Sequence, residues 1–195
     1  MSVECVLGVL IEHDQGEAKP VSFEVLNAAR KLADQVSGKV IALYFSDAAS
    51  SESEYFFQHG ADEVHYLTHP NLKNYTHENY GFALLKQHEK HSFDYFLLSA
   101  TNNGKELSAI LSAQLGVGVA TDCISLVVGE NSEVEAVRPV SSGKAHSTVR
   151  FVGNKPHILS LRPNVFRDAP FFRQGEIFEE KIQLPEFSQR AQNIL

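Results

Sequence analysis

Long apolar runs are missing from this chain of 195 residues. No segment approaches the roughly 20 consecutive apolar residues that span a bilayer, which points away from membrane insertion. The apolar stretch VECVLGVLIE at the N-terminus is interrupted by Glu4, with no basic segment before it and no small-residue cleavage site after it. It is read as a strand rather than a signal peptide, and the expected location is cytoplasmic. Basic runs are missing too. The chain has 17 Lys and Arg against 24 Asp and Glu, a formal charge of −7, and nowhere interleaves basic with aromatic residues. That balance argues against nucleic-acid binding. Cysteine is limited to Cys5 and Cys123, both in apolar surroundings and far apart, which suits free thiols better than a disulfide or a metal pair. Neither GxGxxG nor GxxxxGK followed by Ser or Thr occurs, so a dinucleotide fingerprint and a P-loop are unsupported. Internal repeats and low-complexity segments are absent as well.

What is present is the material of a soluble globular protein: 43% hydrophobic and 21% charged residues. The first half alternates strand and helix patterns. Strands are expected at 3–11, 39–45, 63–67 and 95–99, with helices at 22–36, 50–59, 76–90 and 105–115. Ser22 is a candidate cap for the first helix, with Leu26, Ala29, Ala33 and Val36 on one face. Gly60 and Gly116 stop the second and fourth helices. Repeated β-α units with short apolar strands imply a parallel sheet with helices on both faces. After residue 118 the pattern changes to successive strands separated by turns, and strands with short links pair antiparallel. The fold class is therefore α/β, a doubly wound, mostly parallel sheet with added antiparallel strands. From residue 167 onward the chain reads as an extended arm lying on the domain or on a neighbour, since Phe171 and Phe172 need cover.

The turn after the fourth strand is the best small-molecule candidate. Ligands of doubly wound sheets bind beyond the carboxyl ends of strands, near a helix N-terminus that favours anions. Thr101, Asn102, Asn103, Gly104 and Lys105 supply hydroxyl, amide and ammonium donors there. The plainer reading is that Thr101 or an Asn caps the helix and Gly104 permits the tight turn. Residues 141–144, Ser-Ser-Gly-Lys, fit a hairpin turn more simply than an anion cradle. His59, His65, His69, His77, His88 and His91 fall within one third of the chain, and His88 and His91 share a predicted helix. A zinc site needs convergent partners at fixed spacing. None is evident, so these histidines are read as solvated and no metal is expected. Ser147 and Ser160 lack a G-x-S-x-G elbow, and the acidic pairs Asp14 with Glu17 and Glu52 with Glu54 sit in exposed settings. No catalytic constellation emerges, and an enzyme is not expected.

Five elements in fixed order carry a family likeness. They are the T-x-x-G-basic turn (Thr101, Gly104, Lys105), the helix after it, the T-D-C strand (Thr121, Asp122, Cys123), the Arg138 and Pro139 pair, and the closing R-P-N-V-F at 162–166. Over residues 3–166 the chain resembles the N-terminal domain of the α subunit of electron-transfer flavoproteins. The resemblance implies a nucleotide-binding-like, adenine nucleotide α-hydrolase-like fold without a cofactor of its own, packed on a β subunit. It implies FAD in the complete protein, in a C-terminal domain whose glycine-rich segment is not found here; after Gly153 the only glycine is Gly175. Electrons in that family pass from acyl-CoA and other dehydrogenases, as in fatty acid β-oxidation, to a quinone reductase. The expectation is a scaffold domain at 1–166 and an arm or linker at 167–195 leading towards the flavin domain, with a homodimer possible for the isolated chain. The alternative is an adenine-nucleotide-binding module of universal-stress type using the 99–105 turn.

Overall fold

The structure, a computed structural model, describes residues 5–129, 133–167, 169–171 and 173–186. Residues 3 and 4 of the expected first strand, most of the 129–132 turn, Phe172 and Phe187 lie outside them.

β1 (Cys5–Ile11) runs through the middle of the main sheet. Its side chains alternate, with Leu7, Val9 and Ile11 in one apolar cluster and Leu10 in the opposite one, as they must when both faces of a strand are covered. A tight hairpin of β2 (His13–Asp14) and β3 (Glu17–Ala18) leads into α1 (Pro20–Val36). Pro20 sits in the first helical turn, where its missing N–H removes no bond. Ser22, expected as the cap, lies inside the helix. Its hydroxyl donates to the Glu12 carbonyl at 3.0 Å and accepts from the Glu12 amide at 2.8 Å, clamping the end of β1. Leu26, Ala29 and Ala33 face the core as the spacing predicts.

β4 (Gly38–Ser46), α2 (Ser53–Gln58) and β5 (Glu63–Thr68) follow. Next come α3 (His77–His91), β6 (Tyr95–Ser99), α4 (Asn102–Leu115) and β7 (Val119–Cys123). β8 (Ser125–Val128), β9 (Val134–Val140) and β10 (Ala145–Arg150) form a separate antiparallel sheet. β11 (His157–Leu161) and β12 (Glu176–Lys181) return to the main sheet. That sheet has seven strands in the order β12-β5-β4-β1-β6-β11-β7, all paired parallel. Apolar residues of α1 and α2 cover one face, and those of α3 and α4 the other. The small sheet joins the α1 side through Val134 and Ala136.

Short links do give antiparallel pairing in β8 to β10, but not at β11. That strand inserts between β6 and β7, parallel to both. Its HILSL run is buried at four of five positions, the mark of a central parallel strand, and the small sheet takes the place of a helix in the crossover.

The described part of the arm lies on its own domain. The Ala169 amide donates to Asn27 Oδ1 at 2.9 Å, that of Phe171 to the Gln58 carbonyl at 2.5 Å, and that of Glu176 to the Asp62 carbonyl at 3.1 Å. β12 then becomes the edge strand beside β5, with Phe178 opposite His65. Gly175 is needed where the arm passes α2: a Cβ there would lie 2.3 Å from the Asp62 carbonyl oxygen and 2.5 Å from the Phe57 ring. Beyond β12, Ile182 is 8% exposed and packs into the core.

Candidate functional site

The order of the sheet places its switch point between β1 and β6, the neighbours from which successive strands spread in opposite directions. The crevice beyond their carboxyl ends is where a sheet of this kind holds ligands. β1 delivers Glu12 to it and β6 delivers the 100–105 turn. Thr101 caps α4, its hydroxyl oxygen accepting from the Gly104 amide at 3.1 Å. The same hydroxyl donates to Glu12 Oε1 at 2.6 Å. Glu12 is 7% exposed, and burial pushes its carboxyl above the usual range, against the opposing effects of the Thr101 bond and the Lys19 charge.

The five turn residues named from sequence therefore part company, with Asn103 half-buried among them. Thr101 and Gly104 face the crevice, while Asn102 and Lys105 lie exposed on the first turn of α4. Helix α4 begins at Asn102, three residues earlier than the pattern suggests, so Gly104 lies within its first turn. A Cβ on Gly104 would sit 1.9 Å from the Ser99 carbonyl oxygen and 3.4 Å from Glu12 Oε1. Close approach of helix to strand, rather than a special φ, demands glycine here.

Residues that sequence reasoning passed over close the rim. The His13 ring stacks on Tyr44 with centroids 4.7 Å apart, and its Nε2 donates to the Phe45 carbonyl at 2.7 Å. Tyr44 donates to the Gly16 carbonyl at 2.9 Å, tying the β2–β3 hairpin to β4. Tyr80 donates to the carbonyls of Phe45 and Leu72 at 3.0 and 3.2 Å. Tyr75 donates to Glu106 at 2.7 Å, and burial together with that carboxylate pushes its phenol far up. Chemically, the crevice presents a carboxylate of the chain itself at the end of α4 that attracts anions.

The T-D-C and R-P-N-V-F elements meet at the far side of the sheet. Asp122 has φ 61°, and its amide donates to Ser160 Oγ at 3.1 Å. Arg162 grips its carboxylate with Nε at 3.0 Å and Nη2 at 2.5 Å. That pair lowers the Asp122 carboxyl from its ordinary value and fixes the point where the chain leaves β7 for the small sheet. Residues 141–144 form the exposed β9–β10 turn, as read from sequence. A groove of about 700 Å³ opens where Arg173, Gln174 and Gly175 cross Ser53, Phe57 and Gln58, and it includes none of the candidate turn residues.

Of the six histidines read as solvated, His77 keeps a side chain 43% exposed, whereas His65, His88 and His91 are not solvated as expected. His65 is 4% exposed beneath the arm, and His88, His91 and His157 are half-buried. They pack as aromatic rings, His88 against Phe93 and Phe96 and His157 against Phe151. Among the described residues no group of three or more His, Cys, Asp or Glu is placed to hold a metal. Cys5 and Cys123 are free, and burial pushes their thiols to about 11 and about 12, making both poor nucleophiles. Among the described residues no helix is long and apolar enough to cross a membrane.

Comparison with known proteins agrees with this architecture. The family model "Electron transfer flavoprotein domain" matches residues 7–183. "Protein FixB" of Azorhizobium caulinodans is 30% identical over 160 residues, covering 80% of this chain and 43% of its own length. "Electron transfer flavoprotein subunit alpha" of Megasphaera elsdenii is 28% identical over 179 residues, 90% of this chain and 53% of its own. The "Lactate dehydrogenase (NAD(+),ferredoxin) subunit LctC" of Acetobacterium woodii is 28% identical over 158 residues, 81% and 38% respectively. The chain thus spans about half the length, or less, of these curated relatives. With the match running from β1 through β12, this chain belongs to the electron transfer flavoprotein domain family.

Proposed function

We propose that this chain is the N-terminal scaffold of an electron-transfer flavoprotein α subunit. In this reading residues 1–166, with β12 of the arm paired at the edge of their sheet, form the assembly domain, and residues 167–195 are an arm leading towards a flavin domain. The complete protein carries FAD, pairs with a β subunit, and passes electrons from a dehydrogenase to a quinone reductase. The dehydrogenase is left as a class, since one relative's name specifies a lactate dehydrogenase rather than an acyl-CoA enzyme.

The observation that carries the scaffold reading is Glu12, seated in the ligand crevice and bonded to Thr101. A phosphate brought to the end of α4 meets the Glu12 carboxylate there. Like charges within a few ångströms repel strongly where water is scarce, and the crevice serves to lock α4 onto β1. In the isolated chain, the open edge of β12 offers Ile177 and Phe178, 49% and 42% exposed, to a second copy.

Thermal unfolding in millimolar AMP or ATP tests the scaffold reading against a nucleotide-binding module. A ligand that binds only the folded state raises the melting temperature by mass action. No rise is expected, in the native chain or in Lys105→Ala. A clear rise that Lys105→Ala abolishes would overturn the reading in favour of the nucleotide module.

A further inference from the structure

β12 is an edge strand, and on its face towards α3 Phe178 rests on the ring of His65, which in turn meets His91 of α3. The His65 ring lies 4.7 Å from that of Phe178 on β12 and 4.7 Å, edge-on, from that of His91 on α3. His65 Nε2 is 2.9 Å from Glu63 Oε2 on its own strand, and Lys39 on β4 holds the other oxygen of that carboxylate at 2.8 Å. Lys90 on α3 reaches across to Glu180 on β12 at 2.8 Å. His91 Nε2 is buried with no hydrogen-bond partner among the described residues. The groups facing the pair are therefore one carboxylate, Glu63, two ammonium groups, Lys39 and Lys90, and at the rim Glu180.

We propose that His65 and His91 form an acid-sensitive catch for the arm, in which protonation of either ring loosens β12 from β5. A positive charge on His91 has no acceptor at Nε2 and faces His65, Lys90 and Lys39, with Glu63 the one opposing charge. A charge on His65 gains Glu63 but is covered by Phe178, which holds it away from water. Relief comes most easily by removing that cover. β12 has a sheet neighbour on one side only and all six of its residues are exposed, which places it at the low-stability end of the molecule.

Burial is the first cause lowering both rings below the ordinary histidine value of 6.5. A ring uncovered by the arm returns towards that value, so the loosened state binds more protons than the docked one. Docking is then at full strength above about pH 6.5 and weakens as pH falls through the lowered values. Glu63 and Glu180 are lowered from 4.5 and stay ionised across that window.

Amide hydrogen exchange on the full chain tests this, with protection factors of the β12 amides compared with those of β1 and β4. From about pH 7.5 to about pH 5.5, β12 protection is expected to fall by at least about threefold, and by up to about tenfold for each pH unit over which one proton is linked. β1 and β4 should change less. His91→Gln, at a half-buried position, and His65→Gln should each flatten the β12 response while the β1 and β4 amides stay protected. Protection of β12 that does not move with pH, or that falls equally in native chain and both variants, would overturn the proposal. A fall shared equally by β12, β1 and β4 would also overturn it, since it reports unfolding of the whole domain.

Discussion

Gly104→Ala is expected to lower the unfolding free energy by about 3 kcal/mol or more, at the upper end of the range for overpacked cores. The new methyl would sit 1.9 Å from the Ser99 carbonyl oxygen, a backbone atom with no freedom to rotate away. Relief requires α4 to move off β6, which breaks the bond of Thr101 to Glu12 and unseats Leu107 and Leu111 from the core. Burying each leucine contributes about 2 kcal/mol, so the strain is not cheaply relieved. Urea unfolding monitored by circular dichroism measures the loss. Exposed Ala109 on the same helix is a control site, and Ala109→Gly should cost about 1 kcal/mol through helix propensity alone. A Gly104→Ala chain as stable as the native one would show that α4 does not approach β6 this closely.

Arg30→Ala is expected to be as damaging, about 3–5 kcal/mol, because it breaks a buried ion pair and leaves its partner behind. Arg30 is 3% exposed on α1. Its Nη1 donates to Asp62 at 2.6 Å, and Nη2 donates to the Gly38 carbonyl at 3.2 Å and meets Asp34 at 2.7 Å. Asp62 also accepts from the Val40 amide at 2.9 Å and from Arg173 of the arm. One guanidinium therefore joins α1 to the starts of β4 and β5 and, through Asp62, to the arm. For a chain of this length the loss corresponds to a fall in melting temperature of roughly 10 °C, read by calorimetry. A double-mutant cycle with Asp62→Ala should show strong coupling, since the two side chains share one network. Independent, additive losses would contradict the network.

The regular elements were legible because their burial repeats at a fixed period. β1, β4 and β6 are short apolar runs, and Leu107 and Leu111 recur at helical spacing. Where meaning depends on two distant segments meeting, sequence falls short. Glu12 looks like the polar end of a strand until Thr101 arrives opposite it, 89 residues later. Arg30 looks like a solvated helix residue and is buried because Asp62 and the Gly38 carbonyl take its charge. His65 alternates with apolar neighbours as an outward residue should, yet β12 covers it. β12 itself falls in the one strand-like patch of the arm, at 177–184, but its parallel pairing with the free edge of β5 is not legible from that local pattern. Of the five turn residues, Thr101 was recognised as a cap, whereas Gly104, read as permitting a tight turn, is required by the close approach of α4 to the Ser99 carbonyl. Asn102 and Lys105 had the right chemistry for a donor set but lie exposed on the first turn of α4, which starts earlier than its apolar stripe.

The central claim is that this chain is an assembly scaffold rather than a cofactor-bearing unit. Solution mass by light scattering, with flavin absorbance read on the same eluting peak, tests it most directly on the chain alone and mixed with the cognate β subunit. The account predicts a flavin-free chain that pairs with itself when alone and gives way to a one-to-one complex when the β subunit is added. A chain that carries one equivalent of flavin by itself, or a mixture that elutes as two separate species, would contradict it.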